Sequence, residues 1–247
     1  EFVVNQREGI LTAALVSFGL KGLSLDGDKI LESIGVTDTQ RIMIQISNTA
    51  GLMPMPMPKN GRLRILNGSR VLWRQTDDHR YIDMDLKGTD ILIRGFAMYC
   101  KEGGKGELCM FHKGGDAGVA ADLIESLEIG DSITWLDELP LNKFREEMIR
   151  ADIICDQFGQ SFPGMVTLDA FAFGRPVLAN LRNEIFEPHF DEPLPGLQAS
   201  NPDEICRQLH LAENHRDSLA TLGRASRQFA ENNLSPVKMA ETVLKKL

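Results

Sequence analysis

From residue 61 onward, short apolar runs alternate with longer amphipathic stretches. The short runs are dense in branched apolar residues and predict strands at Leu63–Leu66, Glu107–His112, Ser132–Leu136, Asp152–Asp156 and Pro176–Ala179. Between them, apolar residues recur at helical spacing over Asp90–Cys100, Val119–Leu127, Leu141–Arg150 and Gly164–Phe173, with Thr89 or Asp90 as the cap of the first helix. The tail from Pro202 to Leu247 reads as two or three helices. Strands alternating with helices of about ten residues predict an α/β fold, a Rossmann-like parallel sheet with helices on both faces. Such sheets bind ligands beyond the carboxyl ends of their strands, often on helix N-termini.

The first 60 residues follow a different pattern. Helical spacing covers Gly9–Leu20 and Asp28–Ile34, and RIMIQIS at Arg41–Ser47 alternates like a short strand. This is too little apolar material for an independent core, so residues 1–51 read as the tail of a preceding, amino-terminal domain. Residues 52–60, LMPMPMPKN, carry three prolines, which resist both helix and central strand. They read as a linker, a hinge or a spacer, ahead of a domain spanning 61–247. The chain opens on Glu1 rather than Met, which reads as a fragment or a trimmed chain.

Composition narrows the function classes. The 247 residues are 43% hydrophobic and 25% charged, ordinary for a globular protein. No apolar run reaches the roughly 20 residues that span a bilayer, and no basic region precedes the apolar stretch at Leu11–Leu20 as a secretory signal requires. A net charge of −8 argues against a general nucleic-acid partner, while leaving room for a small anionic ligand held by two or three local cations. None of Cys100, Cys109, Cys155 and Cys206 sits in a CxxC pair; Cys109 and Cys155 lie in apolar runs and read as core residues. Free thiols fit a reducing, cytoplasmic setting. Association with a membrane surface stays open if an acceptor is lipid-linked.

The segment with the most chemistry is ADIICDQFGQSFPGMVTLDAFAFGRPVLAN, residues 151–180. It reads as strand, glycine-bearing loop, helix, Gly-Arg-Pro turn and strand. Gly164 lets a ligand approach the backbone. The amides of Gly164, Met165 and Val166 are expected to be free at the helix start, where the helix dipole favours phosphate. Asp169, about one and a half turns in, could accept two hydrogen bonds from a ribose diol, or could be a polar helix residue facing solvent.

This segment resembles the signature of the large retaining GT-B glycosyltransferase family 4. SITWLDELPLNKFREEMIRAD and LKGTDILIRGFAMY resemble the family's flanking segments, so the resemblance covers about residues 60–247. It implies a carboxy-terminal, donor-binding domain of an enzyme that transfers sugar from a nucleotide-diphosphate-sugar with retention at the anomeric carbon. No metal or cofactor is implied; the partners are the nucleotide sugar and a glycan, lipid-linked or small-molecule acceptor. The family's diphosphate-binding cations match Arg70 in NGSRVLW and Lys87 in DLKGTD. They are seventeen positions apart, and the intervening WRQTDDHRYIDMD leaves Arg74 as a rival for Arg70. The family's two glutamates, with seven residues between them, fall on Ser161 and Asp169. Asp169 keeps the carboxylate expected on the ribose, whereas Ser161 cannot supply the negative charge expected on the sugar. The amides of Gly164 and Met165 would lie on the phosphates. In the glycine-rich HKGGDAG, which lacks a P-loop ending, Gly114 and Gly115 are placed near the nucleotide by the same resemblance, or form a plain turn.

The five histidines are scattered, and no pair is seen at metal-ligand spacing with a partner acid; His210 and His215 read as solvated tail residues. Two alternatives stay open beside the transferase. One is a nucleotide-sugar epimerase of the same architecture, which would need acid and base groups in the cleft. The other is a GT-B-like domain that binds nucleotide without turnover, an option kept open by Ser161.

Overall fold

The computed structural model describes residues 2–17, 20–76, 81, 85–159, 164–190 and 192–247. The chain begins with α1 (Phe2–Thr12), β1 (Val16–Ser17), α2 (Leu25–Ser33) and β2 (Arg41–Ile42), and β1 pairs with β2 in parallel. The expected helix over Gly9–Leu20 therefore stops at Thr12. Val16 and Ser17 instead pair with Arg41 and Ile42, a long-range partnership that local spacing cannot reveal.

Then follow β3 (Arg64–Asn67), α3 (Thr89–Lys101), β4 (Glu107–Phe111), α4 (Ala117–Ser126), β5 (Ile133–Leu136), α5 (Leu141–Arg150), β6 (Ile153–Cys155), α6 (Met165–Ala172), β7 (Val177–Ala179), α7 (Asn183–Phe190), β8 (Leu197–Gln198), α8 (Pro202–Asn214), α9 (Arg216–Phe229) and α10 (Pro236–Lys246), with a π-helical turn at Ala230–Leu234 between the last two. Strands β3 to β8 form one parallel sheet in the order β5-β4-β3-β6-β7-β8. The α/β architecture predicted from the pattern is thus present. Two elements were not predicted. NEIFEPHF contains a proline, which masks helix α7, and two residues of β8 are too few to show a period.

Alternation along each central strand distributes its side chains between two cores. Leu66, Cys109, Ile154 and Val177 point to one face with Met148, Leu168, Phe171 and Phe229. Their neighbours Ile65, Leu108, Ile153 and Leu178 point to the other face with Leu92, Phe96, Ile124 and Leu209. A sheet covered on both faces needs apolar residues at every position, which is why these strands read as continuous apolar runs. Leu23, Met43 and Leu52 from the amino-terminal stretch join the first of these cores, and Ser47 Oγ donates to Leu168 O at 2.8 Å.

Residues 53–60 have no regular secondary structure, as their prolines demand. They are nevertheless held down. The fully buried Arg175 donates through Nη1 to Met55 O (2.9 Å) and through Nη2 to Pro56 O (2.9 Å) and Ile149 O (2.7 Å). Arg227 Nη1 reaches Leu52 O and Ala172 O at 2.7 and 2.6 Å, and its Nη2 reaches Thr49 O at 2.7 Å. The Gly-Arg-Pro turn thus fixes the Met-Pro strap onto the sheet domain.

Candidate functional site at the strand-order reversal

Between β3 and β6 the strand order reverses, and chain leaving the two strands diverges, opening a crevice at their carboxyl ends. A cavity of about 500 Å3 fills that place. It is lined by the residues that follow four strands: Gly68, Ser69 and Arg70 after β3, Lys113 after β4, Glu138 and Leu139 after β5, and Asp156 and Gln157 after β6. Lys87, ahead of α3, and Gly164, Met165 and Val166, at the start of α6, complete the polar end. Phe111, Leu139, Leu141 and Phe144 give the cavity an apolar wall.

Lys87 is held by its own backbone. Its N–H donates to Leu72 O (2.6 Å), and its carbonyl accepts from Phe158 N–H (2.8 Å). Gly88 lies in the left-handed region at φ 64°, and a Cβ there would sit 2.6 Å from Gly159 N. Only glycine allows the Lys-Gly segment to lie this close to the loop after β6. The N-cap of α3 is therefore Gly88, not Thr89 or Asp90 as expected; Thr89 Oγ1 instead donates to Arg70 O at 3.2 Å and fixes the loop after β3. Lys87 Nζ donates to Gln157 Oε1 at 2.9 Å. Burial pushes the Lys87 ammonium below its usual pKa, Asp156 and Asp85 oppose that, and neighbouring Arg70 adds to it.

Arg70 is half-exposed at the cavity mouth, its Nη2 3.6 Å from Asp85 Oδ1. Its rival Arg74 is committed elsewhere. Arg74 Nε donates to Asp116 Oδ1 at 2.7 Å, and the amides of Trp73 and Arg74 both donate to Asp116 Oδ2. Of the two arginines, Arg70 lines the cavity.

The start of α6 differs from the expectation. The Gly164 amide is not free: it donates to Asp156 Oδ2 at 2.9 Å, and the same oxygen accepts from Thr167 N (3.3 Å) and Thr167 Oγ1 (2.7 Å). A buried carboxylate at the end of β6 therefore caps the helix from across the loop, because Gly164 has no side chain with which to do it. Burial raises the Asp156 pKa, while these hydrogen bonds and Lys87 act in the opposite direction. Among the described residues no acceptor is seen for the amides of Met165 and Val166, two residues that line the cavity.

Asp169 neither faces solvent nor lines the cavity. It is buried, and its Oδ2 accepts from Arg145 Nε at 2.8 Å, tying α6 to α5. Gly114 and Gly115 also lie outside the cavity lining. Gly114, at φ 125°, packs so closely on Val71 that a Cβ would meet Val71 O at 2.3 Å, while Gly115 borders a separate groove beside Arg74 and Tyr81. Their neighbour Lys113 lines the site instead and pairs with Glu138 at 2.5 Å. Ser161 lies outside the described residues.

Arg70, Lys87, Gly164 and Met165 are thus brought together from the predicted set. Asp156, Gln157, Lys113 and Glu138 were missed. Their signal was positional: each follows closely on the last residue of a parallel strand, where such sheets place their ligands.

No family model matches the sequence, and no curated protein matches it. Solved structures do. S. aureus TarM, in a complex holding fondaparinux, α-GlcNAc-glycerol and UDP, aligns with a TM-score of 0.69 at 15% identity over 98% of this chain and 46% of that one. Anabaena HepE, with UDP and glucose, gives 0.66 at 13% identity over 98% and 66%. The pneumococcal O-GlcNAc transferase GtfA, with UDP and GlcNAc, gives 0.55 at 15% identity over 90% and 44%. The six-stranded parallel sheet flanked by helices matches the Rossmann-like domains of GT-B glycosyltransferases. The chain spans roughly half to two thirds of the length of these structures. Among the described residues, no helix is long and apolar enough to cross a membrane.

Proposed function

We propose that this chain carries the nucleotide-sugar site of a glycosyltransferase that transfers sugar with retention of anomeric configuration. Residues 61–247 would form the donor domain, and residues 1–51 the end of an acceptor domain. The observation that carries the reading is the half-buried Lys87 ammonium, held in the switch-point cavity beside Arg70 and the start of α6. Burial strengthens a cation's pull on a phosphate, because less water screens it. The diphosphate would lie between Lys87, Arg70 and the amides of Met165 and Val166. There, charge developing on the leaving phosphate meets groups already oriented toward it. In this proposal these groups, rather than a metal ion, neutralise the leaving group. The apolar wall of Phe111, Leu139, Leu141 and Phe144 suits a base and ribose. Ser161 would lie toward the transferred sugar, and the acceptor would be a glycan, a lipid-linked molecule or a small molecule.

A second reading is a domain that binds nucleotide without turnover. It is favoured by one observation: Asp169, the carboxylate expected on the ribose, is already taken by Arg145.

The test is calorimetry with UDP, GDP, ADP and CMP on the wild-type chain and on Lys87→Ala. UDP comes first because the TarM, HepE and GtfA structures hold it. Selective binding of one diphosphate is expected. Loss of one charge-assisted contact, worth about 1.5–3 kcal/mol, should weaken it roughly 10- to 150-fold. Failure to bind any nucleotide, or an unchanged affinity in Lys87→Ala, overturns the donor-site reading. Binding by the full-length protein with no sugar transfer would favour the second reading.

A further inference from the structure

At the edge of the sheet opposite the cavity, α3 ends beside the middle of α8. Helix α3 starts next to Lys87 and must run back between the parallel strands β3 and β4, so its last turn lies far from the donor cavity. There Glu102, just after α3, meets Cys206 and His210, four residues apart on one face of α8. Cys206 Sγ lies 3.5 Å from Glu102 Oε2, and His210 Nε2 lies 3.1 Å from the same oxygen.

We propose that Glu102, Cys206 and His210 bind a divalent cation of zinc type, which pins α8 to α3. Three observations carry this. First, the donor set is a thiol, an imidazole and a carboxylate. Thiolate and imidazole together select zinc over magnesium or calcium, which prefer oxygen ligands alone.

Second, the spacing fits. Ligand distances of about 2.0–2.3 Å from a tetrahedral zinc put neighbouring ligand atoms about 3.3–3.6 Å apart. The separations of 3.1 and 3.5 Å lie close to that range, and all three ligand atoms fall within 4.8 Å of one another.

Third, His210 Nε2 is buried and has no hydrogen-bond partner, although the Glu102 oxygen is near. A buried ring nitrogen left without a partner is uncommon in folded proteins, and a cation between the two groups would satisfy both. The imidazole is already oriented: its ring lies 4.9 Å from that of Tyr99, whose hydroxyl accepts from Gly106 N at 2.9 Å. Glu102 is exposed, so an ion can enter from solvent. On binding, the Cys206 thiol releases its proton to solvent. Cys206 is neither paired in a disulfide nor part of the donor cavity. The sequence alone gave no hint, because Glu102 is more than a hundred positions from its two partners.

The test is titration of the tag-free chain with cobalt(II) chloride, followed by displacement with zinc chloride. One cobalt per chain is expected, with the visible bands of a four-coordinate ion and an ultraviolet thiolate-to-metal band, both abolished by zinc. Cys206→Ser should abolish the thiolate band. Glu102→Gln, a change at an exposed side chain that leaves the fold intact, should weaken binding by at least about 10-fold, the lower end of what even an outer partner of a metal site is worth. Zinc should also raise the Tm of the wild-type chain and not that of Cys206→Ser. Absence of a thiolate band, or cobalt binding unchanged in Glu102→Gln, overturns the proposal.

Discussion

Removing the Asp156 carboxylate tests how the candidate site is built. In Asp156→Ala three donors lose one acceptor: Gly164 N, Thr167 N and Thr167 Oγ1. Thr167 is fully buried, so its amide and hydroxyl gain no water in exchange. Each buried orphan costs about 1–3 kcal/mol, and loss of a helix cap about 0.5–2 kcal/mol. Relief of the cost of burying a carboxylate offsets part of this. The expected net destabilisation is about 2–4 kcal/mol for Ala. For Asp156→Asn, which keeps an accepting oxygen but gives up charge assistance, about 1–2 kcal/mol is expected. Urea unfolding followed by circular dichroism measures both, as a lower midpoint at unchanged slope. An Ala variant within about 0.5 kcal/mol of wild type, the scatter of neutral surface changes, refutes the capping role. An Asn variant as damaging as Ala would show that charge, not hydrogen bonding, holds the loop.

Three further outcomes follow from the same geometry. Lys87→Met should match or exceed wild-type stability at neutral pH while losing diphosphate affinity. Because burial depresses the folded-state pKa of Lys87, its charge costs folding free energy below that pKa. The cost disappears as pH rises toward the unfolded value of 10.5. Thermal melts of the two proteins should therefore converge at high pH, and a gap that widens there contradicts the assignment. Gly88→Ala should destabilise by about 1–3 kcal/mol through its left-handed backbone, with weaker UDP binding as Lys87 shifts; equal melts and equal affinity would contradict it. Asp169→Asn separates the two fates of that carboxylate. If it serves ribose after Arg145 moves, calorimetry should show UDP weakened and pyrophosphate unaffected. If it only ties α6 to α5, both should change alike.

The chain alone determined its fold class and showed part of the polar end of its cavity. Continuous apolar runs at strand length can be buried only by a sheet covered on both faces, so parallel α/β architecture followed from pattern. Lys87 was placed by the family resemblance of DLKGTD, whereas the left-handed backbone of Gly88 and its packing on Gly159 came only with the structure. Gly164 and Met165 were legible because a helix start after a glycine-bearing loop is a local feature. Other features depended on which distant residues meet. The Gly164 amide was read as free because Asp156, eight positions away across a loop, reaches it only once β6 and α6 have packed. Asp169 was read toward a ligand because nothing local shows that Arg145 on α5 lies opposite. Residues 52–60 read as a linker because proline composition is visible in sequence, whereas the carbonyl-binding arginines that fasten them, Arg175 and Arg227, come from far along the chain. Glu102, Cys206 and His210 become neighbours only because α8 packs on α3. Burial periodicity is a property of short segments, and so can be read from sequence. Hydrogen bonds between buried polar groups depend on the packing of whole elements, so only the tertiary structure decides them.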